Sequence, residues 1–150
     1  MFFNNNFGNI VKQNIINVLG AKTKRKIVVF ESDDWGSIRM PSKKTYNALL
    51  EKGLMVDDPY NRYDSLASEE DLSALFEVLA SFKDDFGNHP VFTANCVLCN
   101  PDFERIKAHN YEHYFFEPFN TTLTRHSGCE KSFELWLEGM DKGLFHPQFH

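Results

Sequence analysis

Between Lys26 and Gly36 the chain passes from a basic lead-in through Ile27-Val28-Val29-Phe30 into Glu31-Ser32-Asp33-Asp34-Trp35-Gly36. The first half is a short apolar run rich in β-branched residues, the composition of a buried strand. The second half would end that strand in two adjacent carboxylates and a glycine turn. Neighbouring anions repel, and desolvating either is unfavourable unless a proton or a cation compensates. Open α/β folds meet that condition, because their sites lie at the carboxyl ends of parallel strands, where a divalent metal supplies the compensating charge. Successive strand residues face opposite ways, so both aspartates reach one cavity only where the backbone turns. Gly36 permits that turn.

The rest of the chain alternates strand and helix signals. Met40-Pro41-Ser42 starts a helix that runs through Tyr46 to Lys52 and stops at Gly53. Asp57 to Ser65 is polar and turn-rich and reads as a loop. Ser68 to Asp71 has the pattern of a capping box, with Leu72, Leu75, Phe76, Leu79 and Phe82 on one helical face behind it. Val91 to Asn95 reads as a second strand, and Asn100-Pro101 as the start of a helix through Phe103 and Ile106. The aromatic stretch from Tyr111 to Phe119 is irregular. Lys131 to Lys142 is helical, and Leu144 to Phe149 is a third strand. This alternation implies an α/β chain with right-handed crossovers and a parallel sheet.

Length and composition bound the alternatives. A chain of 150 residues, 42% hydrophobic and 15% aromatic, holds one domain with a real core. The net charge of -5 and the lack of a Lys/Arg stripe argue against nucleic acid as a partner. Three cysteines are an odd number, which fits a reducing compartment better than a disulfide framework. Residues 1–22 form an amphipathic extension in which Phe7, Ile10, Val11, Ile15, Val18 and Leu19 recur at helical spacing, expected to pack on the domain in 23–150. With neither a signal peptide nor a membrane span written there, a cytoplasmic location is expected.

Three other constellations carry less. His146 and His150 stand four apart, but Pro147 disfavours a helix, and in a strand they sit about 13 Å apart at ~3.3 Å per residue. His109-Asn110-Tyr111-Glu112-His113 has metallopeptidase spacing but needs a continuous helix, and the periodicity decays near Asn110. Cys96 and Cys99 have redox or zinc spacing with only Cys129 to join them, so buried or inert thiols are expected.

The Asp33-Asp34 segment resembles the first motif, Thr-Phe-Asp-Asp-Gly, of the polysaccharide deacetylase family of metal-dependent carbohydrate esterases. Val91 to Asn95 resembles that family's next strand, Asn100 to Phe103 the helix start after it, and Gly143 to His150 the strand leading into its His-x-x-x-His motif. The likeness covers roughly residues 24 to 150. It implies a parallel-sheet (β/α) barrel-like fold, incomplete in this chain, which would then be the N-terminal part of a longer protein. It further implies Asp33 as general base, and Asp34 with His150 as ligands of a divalent metal, in first place Zn²⁺. The substrate implied is an acetylated sugar or polysaccharide, and the reaction removal of its acetyl group. Two departures stand out: Glu31-Ser32 replaces Thr-Phe, and Trp35 separates the aspartates from Gly36. Trp35 is expected either to stack on a sugar ring, as Tyr60 would, or to fill the core. Arg39 is expected to hold Asp33 ionised beside the substrate, or to be an ordinary surface arginine. A glycosidase needs carboxyls about 5 to 9.5 Å apart across a sugar bond, for which adjacent residues are poorly suited. A non-catalytic sugar-binding or scaffold domain of the same fold is the alternative from another class.

Overall fold

The computed structural model describes residues 5–20 and 22–149. The elements run α1 (Asn5–Leu19), β1 (Phe30–Trp35), α2 (Lys43–Glu51), α3 (Pro59–Tyr63), α4 (Glu69–Ala80), β2 (Phe92–Cys96), β3 (Cys99–Pro101), α5 (Phe103–Ala108), β4 (Phe116–Pro118), α6 (Phe119–Thr124), α7 (Ser132–Asp141) and β5 (Phe145–Phe149). β2 lies between β1 and β5 and pairs with both in parallel; β3 and β4 form a separate antiparallel pair. Among the described residues the chain is therefore a mixed α/β structure with a three-stranded parallel sheet and no closed barrel.

Alternation along the strands separates two faces. Ala94, Cys96 and Phe145 turn toward Leu72, Phe76 and Leu79 of α4 and Trp136 of α7, forming the main buried core. The three α4 residues recur at i, i+4 and i+7, a stripe that faces the sheet. Ser68 and Asp71 start this helix with reciprocal side-chain to backbone hydrogen bonds, the capping box expected from their spacing. The opposite face of the sheet carries Glu31, Thr93, Asn95, His146 and Gln148, brought level by the register Glu31↔Thr93↔His146 and Asn95↔Gln148.

Several expectations are corrected. Ile27, Val28 and Val29 do not form a buried strand; they are 64%, 76% and 67% exposed, and the strand begins at Phe30. The register explains the shift. Phe30 pairs with Phe92, so an earlier start would set Val28 against Pro90, which has no N–H to offer a ladder. The acidic residues consequently lie within β1 rather than after it. Asn100-Pro101 belongs to β3, and the helix starts after Asp102, whose carboxylate caps it by accepting from Arg105 N at 3.0 Å. The 57–65 loop contains α3, capped by Asp58. Helix α1 forms, but Ile10, Ile15, Ile16 and Val18 are each more than half exposed, so these residues do not pack onto the domain. The apolar face of the sheet is already covered by α4 and α7.

Candidate functional site

Asp33 and Asp34 together form a β-bulge. Ser32 pairs with Ala94 and Trp35 with Cys96, so two residues of β1 stand against the single Asn95 of β2. Asp34 is the irregular one, with φ of 61°, a left-handed conformation that aspartate tolerates better than most residues. Gly36 follows at φ 81°, and Ser37 N closes the turn onto Asp34 O at 3.1 Å. The irregular backbone thus begins two residues before the glycine, at Asp34 itself.

Asp33 is exposed and turns to the polar face of the sheet. Its Oδ1 accepts from Asn95 Nδ2 at 2.6 Å, and Glu31 Oε1 accepts from the same nitrogen at 2.8 Å. Each amide hydrogen of Asn95 serves one carboxylate, and the two acids are held as close neighbours. Asn95 is 8% exposed, so its position is set by burial as well as by bonding. Strand alternation at i and i+2 signals the Glu31–Asp33 neighbourhood, which the adjacency of Asp33 and Asp34 does not.

Asp34 takes other partners. Arg39 Nη2 donates to its Oδ2 at 3.0 Å, and Arg39 Nε donates to Asp64 Oδ2 at 2.7 Å. The hydrogen bond that Arg39 donates to Asp64, with the negative charges of Asp64, Asp34 and Asp58, raises the guanidinium's pKa against a smaller effect of burial. The guanidinium also lies over the Tyr60 ring, 5.4 Å from its centre. Two expectations fail here. Arg39 pairs with Asp34 and Asp64 rather than holding Asp33, and the aspartates are not buried: Asp33 is exposed, and the Asp34 side chain retains 41% of its exposure. The cation beside Asp34 is a guanidinium.

Trp35 takes the core-filling role. Its ring lies 5.3 Å from Phe92, 5.4 Å from Phe145 and 6.0 Å from Trp136, on the helix-covered side of the sheet. Tyr60 is exposed beside Arg39. His150 lies outside the described residues. Helix α5 ends at Ala108, and left-handed Asn110 and Tyr111 break the His109–His113 segment, so those imidazoles never share a helical face. All three cysteines are free thiols; Cys96 and Cys129 are buried, whereas Cys99 is exposed.

Among the described residues no group of three or more His, Cys, Asp or Glu side chains is arranged to hold a metal ion. Asp34 fits as one ligand by chemistry, a hard carboxylate oxygen partly open to solvent. Further ligands would have to come from beyond it. Beside this turn a cavity of about 670 Å³ opens between the 38–43 segment, α2 and α3, lined among others by Arg39, Lys43, Tyr46, Arg62, Tyr63 and Asp64. Tyr46 donates to Asp57 Oδ1 at 2.9 Å, and burial followed by this bond raises the phenol's pKa. No helix among the described residues is long and apolar enough to cross a membrane. Compared with family models, with curated proteins and with solved structures, the chain finds no match in any of the three.

Proposed function

We propose that the chain contributes residues to a metal-dependent deacetylase site, acting on an acetylated sugar or polysaccharide. The observation that supports this most is the bulge, which sets two consecutive aspartates against the single Asn95 at the carboxyl end of a parallel strand. Bulges are over-represented beside active sites, where they re-aim side chains. In this reading Asp33 is the general base. Asn95 occupies Oδ1 and fixes the carboxylate, leaving Oδ2 to take the proton of an attacking water. Asp34, with His150, would hold the divalent ion, which when bound supplies Lewis-acid polarisation of water and of the acetyl carbonyl. Arg39 neutralises Asp34 and Asp64. Glu31 accepts from the same Asn95 amide and so stands beside Asp33 in this site.

The experiment measures Zn²⁺ uptake and acetate release from an acetylated chitin oligomer. Asp34→Ala should lose the ion, and Asp33→Asn should keep it while losing turnover. Deacetylation by both variants at the wild-type rate would refute the proposal.

A second reading, a sugar-binding domain without chemistry, is favoured by the pairing of Asp34 with Arg39 and by the lack of three converging ligands among the described residues. It requires chitin-oligomer binding that survives chelation and both substitutions.

A further inference from the structure

We infer that Asn100 is a positioning residue for the Asp34 carboxylate, a role that rests on reading the Asp33–Asp34 bulge as the reacting site. Asn100 lies in β3, far along the chain, and is 2% exposed. Its Nδ2 donates to Gly36 O at 2.7 Å and to Thr122 Oγ1 at 3.2 Å, while its Oδ1 accepts from Ile38 N at 3.0 Å. The Ile38 N–H fixes which end of the amide is oxygen. One buried side chain therefore grips the turn twice, at the carbonyl two residues after Asp34 and at the N–H just before Arg39.

A left-handed aspartate persists only where the surroundings over-determine it. Here they do so twice. A methyl group on Gly36 would come within 3.0 Å of Phe119 Cδ2, so the α6 ring crowds the turn as well. The amide is itself anchored. Thr122 donates onward to Glu117 Oε1 at 3.0 Å, and the other Glu117 oxygen lies 2.5 Å from Arg125 Nη1, close enough to pair as ions though not aligned as a hydrogen bond. This chain of polar groups runs from a surface arginine to the turn, in a setting where each member strengthens the next. An asparagine that merely filled space would have no reason to spend both ends of its amide on the one turn that separates Asp34 from its partner Arg39.

The test compares Asn100→Ala with Thr122→Val in the full chain. Both remove a polar member of the same buried network, but only the first touches the turn. Three signals are read: hydrogen exchange at the Ile38 amide, the NMR resonance of Arg39 Nε–H, and Co²⁺ titration followed by visible absorption. In Asn100→Ala, Ile38 should exchange about tenfold faster or more, the Arg39 resonance should move, and Co²⁺ affinity should fall by about tenfold or more with an altered spectrum. Thr122→Val, which loosens the anchor but leaves both bonds to the turn, should move the three signals in the same sense and by much less. A folded Asn100→Ala chain with an unmoved Arg39 resonance overturns the inference. So does Thr122→Val moving all three signals as far as Asn100→Ala does. If Asn100→Ala does not fold, Asn100→Asp, which keeps the acceptor for Ile38 and loses both donated bonds, is judged by the Arg39 resonance in the same way. Should wild type take up no Co²⁺, the deacetylase reading fails, and the Arg39 resonance still decides for or against Asn100.

Discussion

Arg39 Nη2 stands 3.0 Å from Asp34 Oδ2, and the same guanidinium reaches Asp64 through Nε at 2.7 Å. An arginine in that place competes with any other cation for the Asp34 charge. Its carboxylate neighbours raise its pKa further, so no accessible pH removes the competitor.

Arg39→Met is therefore expected to raise the affinity of the Asp34 turn for divalent ions severalfold. Because the pair is more than a third exposed, the change in melting temperature should be small and should shrink further at high salt. Calorimetric titration with Zn²⁺ at low and high ionic strength checks both points. A fall in affinity would mean that Arg39 holds Asp34 in place instead of competing for it.

Gly139 reverses an ordinary helix rule. Alanine in mid-helix usually gains about 1 kcal/mol over glycine. In α7, however, a Cβ at 139 would press on the Phe76 ring and come within 2.9 Å of Phe145 Cβ, both in the packed core. Gly139→Ala is expected to lose roughly 1–3 kcal/mol from overpacking, read as an earlier urea midpoint. Leu72→Ala in the same core, where Leu72 is fully buried, should cost about 2–5 kcal/mol.

Acid should weaken the fold, with a definite sign. Asn61 N–H lowers the pKa of Asp58, the Ser68 side chain that of Asp71, and Asn88 N–H that of Asp84, each below the ordinary 3.8. As pH falls, the unfolded chain takes up these protons first. Stability is thus intact above the ordinary value and is lost as pH drops through the lowered ones. Melting temperatures between pH ~6 and ~2.5 should fall on the acid side, and Asp71→Asn should flatten part of that fall. A fold that becomes more stable in acid would contradict the assignment.

Thiol reactivity should separate the cysteines. Burial raises the pKa of Cys96 and Cys129, leaving little thiolate, while Cys99 is exposed. Native chain treated with a disulfide reagent should show one fast thiol, lost in Cys99→Ser, and two that react only on unfolding.

The parts of this structure that follow local rules were open to reading from residue order. Ser68 and Asp71 signal a helix start through spacing alone, and the 3.6-residue recurrence gives Leu72, Phe76 and Leu79 as its buried face with Leu75 beside them, but Phe82, expected on the same face, lies past Ala80 and is exposed. Val91 to Asn95 and Leu144 to Phe149 lie within a residue of β2 and β5. What failed depended on partners distant in sequence. Ile27 to Val29 have strand composition, yet a strand needs an aligned neighbour, and Pro90 ends the one available. Strands of three residues, such as β3 and β4, are too short to show a period. The same limit hid the clamp: nothing in Asn100-Pro101 reveals that its amide will close on Gly36 and Ile38, and nothing near Glu31 names Asn95.

The backbone at Asp34 restricts what drift can do to this position. With φ at 61°, a bulky or β-branched replacement is resisted before its chemistry matters, whereas asparagine and glycine enter without protest. Lineages that abandon the acid would then show those two residues in its place. Their appearance would mark inherited architecture whose original task has lapsed.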